Sequence, residues 1–315
     1  MEQLCSDCPR NCHARRGETS GGGVCVSPLL PRVIRATPHY GEEPCISGTR
    51  GAGTIFFSGC NLRCVFCQNR EISRKSVGKT LSVSELRTLM QRLRDQGVHN
   101  IELVTPTHFT RVIAEALEGL NLGIPVIWNS SGYESVETLR LLDGLVQVYM
   151  PDLKYLSAET AGRYSAAADY PETATAAIDE MVRQRGAYRL DGNGMLQSGV
   201  LIRHLILPGH ISESMDVIDY VADTFPPGTV LFSLMSQYTP MPGLERFPEL
   251  RRTVSAEENG NLIHYLQARR LQDGFWQEIS SVGEESIPVF DGSGLDFCPA
   301  MPDNILAVPV KKLLE

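Results

Sequence analysis

Three cysteines, Cys60, Cys64 and Cys67, stand in a CxxxCxxC spacing within the string Ser58-Gly59-Cys60-Asn61-Leu62-Arg63-Cys64-Val65-Phe66-Cys67-Gln68-Asn69. In an iron–sulfur cubane each cysteine thiolate holds one iron. Three thiolates this close bind three irons and leave the fourth open, and an open position is what a metal site needs if a small molecule is to bind there. A structural zinc ion would want a fourth ligand, and no histidine lies nearby, His39 and His108 both standing well outside this string. The spacing therefore points to a [4Fe–4S] cluster with one free iron. A second group, Cys5-x-x-Cys8-x-x-x-Cys12 followed by Cys25, supplies four thiolates. Four close a zinc tetrahedron or fully ligate an auxiliary [4Fe–4S] cluster. The ligand types leave both open and lean slightly toward the cluster. Gly21, Gly22 and Gly23 let the chain turn tightly around such a centre. A segment this short and this poor in apolar residues would take much of its order from the metal. Cys45 is a spare ligand that could replace Cys25 there, and Cys298 is most simply a buried thiol.

These cysteines need a scaffold. From Thr54 onward, short apolar runs alternate with helical patterns. Strands are predicted at 54–58, 101–104, 125–128, 146–150, 200–205 and 230–234. Helices are predicted at 82–96, 111–120, 135–142, 158–185 with a break near Tyr170–Pro171, 214–224 and 257–271. Ser82 and Glu85 form a capping box at the first helix, and Gly97 ends it. Alternating strands and helices imply parallel βαβ units. Six of them fit an α/β fold, a partial (β/α)6 TIM-like barrel rather than a doubly wound sheet, though periodicity alone does not separate the two. In barrels the chemistry gathers at the strand C-termini, and the cysteine triad directly follows the first strand. Residues 1–50 are read as an irregular Cys-rich metal-binding segment, 51–280 as the barrel, and 281–315 as a tail packing on it.

Each strand end carries polar or turn-forming residues. Thr105-Pro106-Thr107-His108 follows the second strand, Asn129-Ser130-Ser131-Gly132 the third and Asp152-Leu153-Lys154 the fourth, while Arg203 and His204 lie in or after the fifth. Asp152 can accept from an ammonium and Lys154 can pair with a carboxylate. His204 alternates with Arg203, so a core-facing structural role stands beside a catalytic one. Gln237 and Tyr238, after the sixth strand, are candidates for the barrel mouth. Gly192-Asn193-Gly194 follows no strand and reads as a turn.

The triad, with an aromatic residue before its last cysteine, resembles the radical S-adenosylmethionine (SAM) superfamily. Residues 53–69 are similar to pyruvate formate-lyase activating enzymes. The CxxCPRxC pattern at Cys5–Cys12 and the string Glu43-Pro44-Cys45-Ile46-Ser47-Gly48-Thr49-Arg50-Gly51 are similar to their PflX-type homologues. The resemblance implies that SAM chelates the free iron through its amino and carboxylate groups. One electron, from a reductant such as flavodoxin or ferredoxin, would then cleave SAM to methionine and a 5′-deoxyadenosyl radical that takes a hydrogen atom from a substrate. It implies SAM contacts from Phe66 beside the adenine, Thr105, Thr107, Asn129, Ser131, Asp152, Lys154 and Arg203. The Gly-Gly-Glu turn that many relatives use for the SAM amine is absent after the second strand. The substrate stays open between a glycyl-radical protein partner and a peptide or small metabolite, the N-terminal cysteines favouring the latter. A different class, a non-enzymatic iron–sulfur carrier or metal-stabilised binding protein, would need no SAM pocket.

The whole chain bounds these readings. It has 315 residues and a net charge of −8, and an acidic balance argues against bulk nucleic-acid binding, which draws on Lys and Arg. A local basic set, Arg10, Arg15, Arg16, Arg32 and Arg35, reads as a solvated face. No stretch is long enough to span a bilayer, and no leader peptide is evident. The expected compartment is the cytoplasm, where the nine cysteines stay reduced and clustered ones are metal ligands.

Overall fold

The computed structural model describes residues 3–277 and 289–296. A two-residue ladder between Gln3–Leu4 and Arg15–Arg16 comes first. Strand β1 (Arg32–His39) and β2 (Ala52–Phe57) precede helix α1 (Val83–Asp95). Then come β3 (Ile101–Val104), α2 (Thr110–Leu117), β4 (Val126–Ser130) and β5 (Val148–Pro151). Helices α3 (Ala158–Ser165) and α4 (Tyr170–Arg185) lead to β6 (Leu196–Leu205) and α5 (Ile211–Thr224). The last are β7 (Leu231–Met235), α6 (Ala256–Ala268) and β8 (Gly274–Trp276).

The sheet order is β8-β7-β6-β5-β4-β3-β2-β1, with every pair from β2 to β8 parallel, β1 antiparallel to β2, and the two residues Lys79–Thr80 antiparallel on the far side of β1. Each strand from β2 to β8 lies beside its predecessor. A doubly wound sheet reverses at a switch point, and this one never does. It winds in one direction like a barrel, and among the described residues it stays open between β8 and the β1 edge. The six predicted strands and the helices are all present. The break in the long helix falls at 166–169, just before Tyr170, because Pro171 is accommodated in the first turn of α4.

The sheet separates two cores. Ile55, Leu103, Trp128, Tyr149 and Ile202 pack outward in one cluster with helix residues such as Leu86, Ile113 and Ile178. Ile127, Val148, Met150, Leu201 and Leu231 pack inward with Ala52, Cys45 and Ile46. The two-residue period of a strand therefore turns Glu102, Asn129 and Arg203 toward the barrel interior, between outward neighbours. The capping box of α1 is present in full, Ser82 and Glu85 exchanging both bonds.

Four expectations change. Residues 32–39 are a regular eight-residue strand inside the segment read as irregular. Pro38 is tolerated there because β1 is near the sheet edge. A seventh parallel strand, β8, was not expected, its three residues being too short to show a period. The basic set is not a solvated face: Arg16 is 1% exposed, and Arg10, Arg32 and Arg35 each donate to backbone carbonyls. Cys45 packs in the inner apolar cluster rather than with the N-terminal cysteines. Of the tail, residues 289–296 lie on β1, with Ala36 N–H donating to Ser293 O at 3.0 Å and Phe290 edge-on to Phe56. The rest of 281–315, with Cys298, lies outside the described residues.

Candidate active site

The triad loop leaves β2 through Gly59, whose φ is +87° and whose place admits no side chain. A Cβ there would fall on Ser27 Oγ and Cys25 O. The loop is pinned to the end of α3 by Arg63 N–H to Ser165 O and Val65 N–H to Tyr164 O. Cys64 Sγ lies 3.0 Å from Ser165 Oγ, which meets Tyr155 Oη at 2.9 Å. Cys60 Sγ accepts from Leu62 N–H at 3.4 Å. Burial, then the neighbouring Cys64 and Cys67, push the Cys60 thiol up to about 12. Burial likewise raises Cys64, against the lowering pull of the Lys154 ammonium. These are thiols whose ionisation waits for a metal's positive charge. Among the described residues no three Cys, His, Asp or Glu side chains converge on one point as a single ion requires. Three cysteines on one short loop are the donor types of a cubane, where each thiolate holds its own iron.

Beside the triad lies a buried polar network. Asp152 receives Lys154 Nζ at 2.6 Å on one oxygen and Arg203 Nε at 3.2 Å on the other. Burial alone would raise Asp152, but Lys154 and Arg203 outweigh it and hold the carboxyl below its usual range. Arg203 also donates to Asn129 Oδ1 at 2.7 Å and Glu42 Oε2 at 2.9 Å. Asn129 Nδ2 donates to Glu102 Oε1 at 2.6 Å, and Thr54 to Glu102 Oε2 at 2.7 Å. Residues in or just after five strands, β2 to β6, and the segment after β1 thus meet in one hydrogen-bonded set. Phe66 packs edge-on to Tyr238, ring centres 6.1 Å apart.

Tyr170, at the start of α4, ties the strand ends together. Its hydroxyl donates toward Ser131 O and Asp152 O and accepts from Lys154 N–H. Gly132 (φ +75°) makes room, since a Cβ would lie 2.4 Å from Asp152 O. Thr105 has φ +58°, an outlier for a β-branched residue, held by its N–H on Asn129 O. Strain of this kind gathers at functional sites.

The structure brings together Asn129, Asp152, Lys154 and Arg203, with Ser131 on the same staple. Thr107 is diverted, its hydroxyl donating to the buried Glu134 at 2.7 Å. His204 is a core residue, Nδ1 on Leu153 O and Nε2 on Ser214 Oγ. His108 is buried and bonds Ser58 O, and burial drops it to about 3. Tyr238 is buried with its hydroxyl on Leu250 O. Sequence reasoning missed Glu42, Glu102 and Tyr170. A lone glutamate in the run Ile101-Glu102-Leu103-Val104 was the available signal, a polar residue at an inward register.

The N-terminal cysteines form a second set. Cys5, Cys8 and Cys25 are buried and Cys12 is exposed. Burial lifts Cys8 to about 12, and Cys25, Cys5 and Cys12 all add to it, so the other three lie around Cys8. Gly23 packs against Cys12 Sγ. Arg16 Nη1 donates to Cys5 Sγ at 3.4 Å, while Nη2 reaches His108 O at 2.8 Å. Arg10 donates to Asn61 O at 2.7 Å and Arg63 to Val24 O. The segment is docked on the triad loop itself.

The sequence model of the radical SAM superfamily matches residues 54–221, more than half of the chain, and the chain belongs to that superfamily. An uncharacterized protein of Methanocaldococcus jannaschii is 30% identical over 264 residues, which cover 81% of this chain and 71% of that one. Among solved structures, Streptococcus suis SuiB bound to S-adenosylmethionine aligns with a TM-score of 0.53 at 13% identity, over 71% of this chain and 49% of SuiB. SuiB bound to its precursor peptide SuiA aligns at 0.51 and 11% identity, over 71% and 47%. The chain spans about half of SuiB's length, and the likeness is one of fold. Membership implies a [4Fe–4S] cluster and SAM, and the triad is a donor set of the right type. No described helix is long and apolar enough to cross a membrane.

Proposed function

We propose that this protein is an enzyme whose Cys60, Cys64 and Cys67 hold the [4Fe–4S] cluster and whose strand-end network holds SAM. When bound, the cluster and SAM supply a one-electron cleavage to methionine and a 5′-deoxyadenosyl radical, which takes a hydrogen atom from the substrate. The observation that carries this reading is the Asp152–Lys154–Arg203–Asn129 set beside the triad. Asp152 is kept ionised by two cations, so it is ready to accept from the SAM ammonium. Lys154 and Arg203 offer the SAM carboxylate positive charge, and Asn129 and Ser131 offer the ribose hydrogen-bonding groups. Phe66 supplies an apolar face for the adenine. Thr105 exposes a strained turn to the amine, in place of the family's glycine turn. The protein's share of the chemistry is orientation, electrostatics and exclusion of water.

The four N-terminal cysteines bind a second metal centre, zinc or an auxiliary [4Fe–4S] cluster. The substrate is a peptide or small metabolite, or a glycyl-radical protein as for the formate-lyase activators. SuiB, solved with a precursor peptide, supports a peptide on a barrel of this fold. An iron–sulfur carrier would have no use for a fixed set of two cations around Asp152. Calorimetric titration of anaerobically reconstituted protein with SAM tests the choice. The enzyme reading expects saturable binding that Asp152→Asn weakens, and no binding would return the chain to the carrier class.

A further inference from the structure

A cavity of about 410 Å³ opens beside the SAM network, between the segment that follows β1 and the strands β7 and β8. Its wall includes Glu42, Glu43, Arg203, Gln237, Phe275 and Trp276. It lies where the barrel is open, lined from both free sides of the sheet, with Arg203 joining it to the Asp152 network.

Carboxyl groups and a cation meet at its inner end, Glu42 and Glu43 beside Arg203. Arg203 and Lys154 are the two cations of the network, and they serve Asp152 and Glu42. Glu43 Oε2 is buried with no hydrogen-bond partner among the described residues. The cavity lining itself holds two carboxyl side chains and one guanidinium, so it offers acceptors to a group that brings positive charge or a donor. Glu42 points the same way: burial, then the nearby Glu102, raise its carboxyl despite Arg203. The opposite wall is aromatic. Trp276 is 46% exposed, and an indole face next to carboxylates is the combination that receives an alkylated cation.

We propose that this cavity binds the substrate through a cationic arm, a primary ammonium or guanidinium on an aliphatic stem. Glu43 takes the charge, Phe275 and Trp276 cover the stem, and Gln237 offers a further polar contact. The arm belongs to a peptide side chain or to a free amine. The inference rests on the radical reading of the neighbouring site, which places the reacting atoms at the Arg203 end of the cavity.

Calorimetry on the anaerobically reconstituted protein, with saturating SAM, tests it. The probes are N-acetyl-lysine methylamide, cadaverine, and the neutral N-acetyl-norleucine methylamide. At least one amine should bind saturably and at least ten-fold more tightly than the norleucine probe, and which one binds distinguishes peptide from free amine. Glu43→Gln should weaken that binding at least ten-fold and Trp276→Ala several-fold, while Glu43→Asp should recover part of it, which also reports a folded site. Equal binding of the neutral probe, an unchanged Glu43→Gln, or no binding by either amine overturns the proposal. So does binding that SAM abolishes, because the carboxylates would then belong to SAM's own site. Wild-type SAM cleavage, measured separately, reports on the radical reading alone.

Discussion

The two cysteine groups touch each other yet are built differently. Cys60, Cys64 and Cys67 are partly exposed, and charged side chains stand near two of them: Lys154 near Cys60 and Cys64, and Asp152 near Cys64. Cys5, Cys8 and Cys25 are buried under backbone carbonyls and the guanidinium of Arg16, with Cys12 alone at the surface. On the proposed reading, the three-ligand set would leave a position on which a small molecule can react, and the four-ligand set would hold the chain in place. The N-terminal set also docks on the loop of the other, through Arg10 on Asn61 and Gly59 against Cys25. Its metal would therefore order the loop that carries the reactive centre.

The largest effects separate the two metals. Cys60→Ala should remove about four irons and leave the N-terminal metal, while Cys8→Ala should do the reverse. Metal analysis of both variants checks this, and joint loss in either would mean that the sites are one unit. Next is the charged network. Asp152→Asn removes a charge-assisted contact of about 1.5–3 kcal/mol, so SAM affinity should fall roughly ten- to hundred-fold with iron content unchanged. Smaller still is the staple. Tyr170→Phe leaves Lys154 N–H and two carbonyls without their shared partner and should cost about 1–3 kcal/mol of stability in a denaturant titration, with no change in either metal.

The smallest effect is on pH dependence. Burial and the carboxylate of Glu102 push Glu42 up to about 8, against the pull of Arg203. The folded state then holds a proton that the unfolded chain releases near the ordinary carboxyl value. Stability should fall as pH rises from there toward 8 and level off above. Arg203, His39, Glu43 and Glu102 face this group, and Glu42→Gln should flatten the slope. An unchanged slope would assign it to the others.

Features set by local rules are visible in the sequence. The capping box at Ser82, the triad after β2 and the polar strand ends at Asn129, Asp152 and Arg203 all show in short strings, and the structure places them as expected. Features set by partners far along the chain are hidden. Arg16 looks like a surface charge until Ser27, Pro28 and His108 supply carbonyls around it. Glu102 looks like an accident in an apolar strand until the register turns it toward Thr54 and Asn129. Thr107 looks like a SAM contact until Glu134, from the next strand end, claims its hydroxyl. β1 was obscured by its proline and by the turn-rich residues around it.

The central claim is that the triad and the strand-end network together cleave SAM. Anaerobically reconstituted wild type should form 5′-deoxyadenosine from SAM when reduced with dithionite, and Cys64→Ala should form none. A wild type that carries its full complement of iron and still yields no 5′-deoxyadenosine would contradict the account.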